Sequence, residues 1–72
     1  MSEPTMRSVM SSSVARIGYD AESGELWVVW QNGRTSVYEG VPPDVADTCC
    51  NAWSIGKTLN DLVKNQYSHQ YA

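Results

Sequence analysis

The sequence predicts an α+β domain in which a three-stranded antiparallel sheet is followed by two short helices packed on one face, in the order β-β-β-α-α. Three observations lead there. Short runs of apolar and aromatic residues at 14–19, 25–30 and 34–38 are separated by turns rich in Asp, Ser, Asn and Gly. Asn32-Gly33, between the second and third runs, is the strongest short-range hairpin signal a sequence carries. Beyond Pro42-Pro43 the apolar residues change from alternating to helical spacing.

In the first strand, residues 14–19, simple alternation places Ala15, Ile17 and Tyr19 on one face and Val14, Arg16 and Gly18 on the other. A turn over residues 20–24 leads to the second strand, residues 25–30. Here Leu26, Val28 and Trp30 share one face, and Trp27 and Val29 share the opposite one. Apolar residues on both sides are unusual for an antiparallel strand with one wet face. The third strand, residues 34–38, returns from Asn32-Gly33. A two-residue loop would pair Val28 with Val37 and Trp27 with Tyr38. A three-residue loop with a bulge would instead bring Ser36 and Tyr38 onto the face of Leu26 and Val28. The sequence is compatible with both.

The segment 39–43 ends the sheet. Pro43 suits the first position of a helix, with Asp44 and Asp47 near its positive end. Val45, Cys49, Ala52 and Trp53 then fall on one helical face, and Gly56 is placed to stop that helix. Thr58 with Asp61 resembles a capping box that opens a second helix, whose apolar face is Leu59, Leu62, Val63 and Tyr67. The 72 residues make a single domain spanning 11–67, between a flexible leader, 1–10, and a flexible tail, 68–72. A chain this short hides only about 60% of its surface on folding, so its apolar stock of 42% serves one core and leaves little to spare.

Composition excludes several functions. The net charge is −3, and the five Lys and Arg residues are scattered, which disfavours a sequence-independent grip on nucleic acid or on an anionic membrane. No apolar run marks a signal peptide or a membrane span, so a cytoplasmic location is expected. Adjacent Cys49 and Cys50 point about 100° apart on a helix and read as small apolar residues of a reduced protein. The one histidine, His69, lies in the tail, without the partners a zinc site or a nucleophilic pair would need. The glycines form no phosphate-cradling loop. No enzyme activity, metal, cofactor or small-molecule ligand is expected.

With the elements placed, the ordered set Val9, Ser11, Ser12, Val14, then Ile17-Gly18-Tyr19-Asp20, Leu26, Val28, Trp30, Asn32-Gly33, Tyr38, Gly40-Val41-Pro42 and Ala52, Ser54, Gly56, Asn60 resembles the KTSC domain. That family takes its name from the C-terminus of some lysyl-tRNA synthetases and also occurs as stand-alone small proteins of bacteria and phages. The likeness runs from about Val9 to Tyr67. It implies the fold above and, through the synthetase context, a possible role in RNA binding. The family's Tyr-x-Tyr in the third strand reads Ser36-Val37-Tyr38 here, so half of a base-stacking pair is replaced.

If both helices cover the face of Leu26, Val28 and Trp30, then Trp27 and Val29 look outward. Trp27, Val29, Tyr38, Arg16 and Arg34 are the candidate binding residues. The first reading is a protein partner or a second copy of the chain, anchored by Trp27. The alternative is single-stranded nucleic acid, with bases stacked on Trp27 and Tyr38 and phosphates held by Arg16 and Arg34. A third reading has a loop or the leader fold over the patch and enlarge the core.

Overall fold

A computed structural model of the protein describes residues 4–72. The sheet has five strands rather than three. They are β1 (Arg7–Ser8), β2 (Val14–Asp20), β3 (Glu25–Trp30), β4 (Thr35–Tyr38) and, after helices α1 (Pro43–Cys50) and α2 (Ile55–Leu62), β5 (His69–Tyr71). They lie side by side in chain order, each antiparallel to its neighbour. The two additional strands come from the segments assigned to leader and tail. Both are short and exposed, so neither carries the buried alternation that betrays a strand in sequence. Their attachment is reinforced at the flanks by Val9 N–H to the Ala15 carbonyl (3.2 Å), Glu39 N–H to Ser68 (2.8 Å) and Ala72 N–H to Thr35 (3.0 Å).

The β3–β4 connection takes the longer of the two possible loops. Trp30 N–H donates to the Arg34 carbonyl (2.8 Å) and Gly33 N–H to the Trp30 carbonyl (3.0 Å), enclosing Gln31-Asn32-Gly33. Gly33 closes the loop at φ +90°, a conformation open to glycine and strained for residues with a Cβ. The resulting pairs are Leu26 with Tyr38, Trp27 with Val37 and Val28 with Ser36.

A register shift between Val14 and Arg16 corrects the simple alternation expected of the first strand. Ala15 is the extra residue of a bulge, which resets the side-chain parity. Val14 therefore joins Ile17 in the interior, although the two are three residues apart.

Pro43 occupies the start of α1, as its missing N–H allows. The helix ends at Cys50, earlier than the Gly56 stop predicted. Asn51 N–H bonds the Asp47 carbonyl (3.1 Å), and its side-chain amide donates to the same carbonyl and to the Asp47 carboxylate (both 2.9 Å). Ala46 and Cys49 carry the buried face, whereas Trp53 falls beyond the helix and is fully exposed. Gly56 is the second residue of α2, where a Cβ would run into the Ser13 side chain, so its role is close approach rather than termination. Thr58 and Asp61 lie within α2 instead of opening it; Leu59 and Val63 are buried and Leu62 is exposed.

Ile17, Leu26, Val28 and Tyr38 on the sheet pack with Val41, Ala46, Cys49, Ile55, Leu59 and Val63 in one core. The Tyr19 hydroxyl donates to the Val41 carbonyl (2.5 Å) and ties β2 to the segment entering α1. Both helices therefore lie on a single side of the sheet, and among the described residues no helix is long and apolar enough to cross a membrane.

Candidate functional site

The register divides the five candidate residues between the two faces. Gly18, Trp27, Val37 and Gln70 form one cross-strand row on the side without helices, and Arg16, Val29 and Thr35 form the next. Tyr38 and Arg34 belong to the other side, because side chains two residues apart share a face and Tyr38 pairs with Leu26. Trp27 and Tyr38, one residue out of step across the hairpin, do not share a surface. Arg16 and Arg34 are likewise separated.

On the helix-free face Trp27 and Val29 are half-buried and Arg16 is exposed. Val37 is 3% exposed and lies outside the helix-side core. The Trp27 indole N–H donates to the Glu25 carboxylate (3.3 Å), which satisfies its polar edge within the chain and leaves the ring for apolar contact. The leader crosses this face at Gly18, where a Cβ would come within 2.6 Å of the Met6 sulfur and 2.7 Å of the Thr5 carbonyl. One end of the apolar patch is thus covered, and the part around Val29 and Arg16 stays open.

On the opposite side the sheet extends past the helices. β4, β5 and the turn after α2 enclose a groove of about 380 Å³ lined by Trp30, Arg34, Tyr38, Lys64, His69 and Tyr71, with Ser36 in its floor. The rings hold one another. The His69 imidazole stacks on Tyr38 (centroids 5.2 Å, planes at 28°) and meets Tyr71 edge-on (5.2 Å). The Arg34 guanidinium lies 5.5 Å over the centre of the Tyr71 ring. Trp30 Nε1 donates to the Ser36 hydroxyl (2.8 Å). Tyr38, only 2% exposed, supports the groove from beneath, and burial pushes its phenol above the usual value, with a smaller contribution from Tyr71. Of the predicted residues only Arg34 and Tyr38 are here. Trp30, Lys64, His69 and Tyr71 are not among the five candidate binding residues, although the spacing of His69 and Tyr71 two apart is itself the signature of one strand face.

Burial disfavours the thiolate form at both cysteines. Burial, and secondarily Cys50, pushes Cys49 up to about 11. Cys50 is also raised, chiefly by burial, with nearby Arg7 opposing the shift. Among the described residues, His, Cys, Asp and Glu gather in no group of three that could hold a metal ion.

Comparison with known proteins places this architecture in context. The KTSC domain model matches residues 10–67. An uncharacterised protein of Stutzerimonas stutzeri (strain A1501) is 37% identical over 59 residues, covering 82% of this chain and 83% of its own. A protein of Tsukamurella paurometabola is 36% identical over 62 residues, covering 86% and 92%. The crystal structure of a KTSC domain protein from Yersinia pestis superimposes with a TM-score of 0.90 at 25% identity, over 94% of this chain and 96% of that one.

Proposed function

The chain belongs to the KTSC domain family, and on that premise we propose that it is a non-catalytic interaction module that docks a protein partner, or a second copy of itself, on the helix-free face of its sheet. One observation carries this reading: Trp27 and Val29 stay half-exposed on the side neither helix covers, with Arg16 exposed beside them. An aromatic anchor next to a branched apolar side chain and a peripheral cation is the composition of an interface centre with a polar rim. A non-catalytic reading is supported by the thiols, since burial disfavours both thiolates.

The test compares the parent chain with Trp27→Ala in sedimentation over a range of concentrations and in capture from native lysate, with circular dichroism as the control for folding. The reading expects a folded variant that loses self-association or its captured partner. It fails if the folded variant associates as the parent does, or if the substitution unfolds the domain, which would make Trp27 a core residue.

A further inference from the structure

We propose that the groove between β4, β5 and the turn after α2 binds a nucleotide unit, a flat base joined to phosphate. This inference uses residues on the other side of the sheet and does not depend on the protein-docking reading.

Charge is the first argument. The chain carries a net −3, yet the side chains lining the groove include Arg34 and Lys64 and no carboxylate. Among the described residues no acidic side chain lines the groove: Asp20 and Glu22 lie at the β2–β3 turn, Glu25 starts β3, Glu39 follows β4, Asp44 and Asp47 are on α1 and Asp61 is on α2. A cationic groove on an acidic domain selects for an anion at that place and not over the surface at large. The two cations come from separate segments, Arg34 just before β4 and Lys64 from the turn after α2.

The rings are the second argument. Simple anion capture does not need aromatic walls, and this groove has four rings. Tyr71 is 62% exposed and His69 is exposed, so both offer ring surface to a flat group. Tyr38 is covered by His69 and serves as the support beneath it. Trp30 is fixed by its bond to Ser36 and also lines the groove. Bases stack on aromatic and guanidinium planes whatever their sequence, and Arg34 over Tyr71 presents both kinds together. An acidic peptide would satisfy the cations but leave the rings unused. The volume, about 380 Å³, lies within the range of small-ligand sites. The same chemistry is offered by a free nucleotide and by a nucleotide within a single strand, and the experiment separates them.

The full chain, isotopically labelled, is titrated in separate NMR experiments with AMP, with single-stranded hexa-adenylate and with tetraglutamate. Amide shifts are expected at Arg34, Lys64, His69 and Tyr71 with at least one of the two nucleotide probes. Equal affinity for AMP and the hexamer identifies a free nucleotide as the ligand; tighter hexamer binding identifies a strand. Tyr71→Ala and Arg34→Gln, both at exposed positions, should each weaken binding by roughly tenfold, and Trp53→Ala, fully exposed and outside the groove, should leave it unchanged. If Arg34 and Lys64 each meet a phosphate of a single strand, raising salt from about 50 to about 200 mM weakens the hexamer roughly sevenfold. The proposal is overturned if neither nucleotide probe shifts those amides at millimolar concentration, if tetraglutamate binds there as tightly, or if folded Tyr71→Ala binds as the parent does.

Discussion

The Trp30 indole donates to the hydroxyl of Ser36, its diagonal neighbour across the β3–β4 hairpin, at 2.8 Å. This bond joins two consequences of a single loop. The three-residue connection puts Ser36 on the helix side of the sheet, where a hydroxyl 2% exposed needs a partner, and leaves Trp30 at the boundary between core and groove.

Ser36→Ala removes that acceptor and leaves the indole N–H of a partly buried side chain unpaired. A loss of about 1–2 kcal/mol is expected from chemical denaturation, with Ser36→Thr keeping most of the stability. If Ser36→Ala is neutral, water replaces the hydroxyl and the bond does not organise the groove wall.

Gly33→Ala tests the loop itself. Nothing lies within 4 Å of a Cβ built there, so only the backbone conformation at φ +90° is penalised. A loss of about 1 kcal/mol is expected in the same assay, with no change in the fold seen by NMR.

Gly18→Ala tests the seating of the leader. The new methyl would meet the Met6 sulfur and, less yieldingly, the Thr5 carbonyl. β1 must then lift while β2 keeps its pairing with β3, so faster hydrogen exchange at Arg7 and Ser8 is expected, with a stability loss of about 1–3 kcal/mol. Unchanged exchange there would mean that the leader does not lie against Gly18.

Cys49 links the core to alkaline stability. Its thiol titrates near 9.0 when unperturbed and at about 11 in the fold, because burial and then Cys50 oppose the thiolate. The folded chain therefore holds this proton more tightly than the unfolded chain. The contribution is whole below pH about 9, declines as the unfolded thiol ionises, and is lost as pH passes about 11; it amounts to roughly 2–3 kcal/mol at most. Buried Tyr38 and partly buried Tyr19 are raised too and add to the alkaline loss. Melts between pH 8 and 11 should show a shallower decline for Cys49→Ala than for the parent, and an identical slope would remove Cys49 from the account.

The sequence by itself determined that β2, β3, β4 and both helices exist, because each has a strong local cause. Apolar alternation, Asn32-Gly33 and Pro43 act within a few residues and need no distant partner. Tertiary structure decided which side each residue faces. One added residue reverses a strand's side chains, so the three-residue loop sent Tyr38 and Arg34 to one surface while Trp27, Val29 and Arg16 remained on the other, and the bulge at Ala15 turned Val14 inward. β1 and β5 depend on strands already in place: their polar residues gain little from burial and are held by backbone hydrogen bonds across the sheet. The groove could not be read from Arg34 and Tyr38 alone, because three of its walls, Lys64, His69 and Tyr71, arrive only when the chain returns beyond α2 to pair with β4.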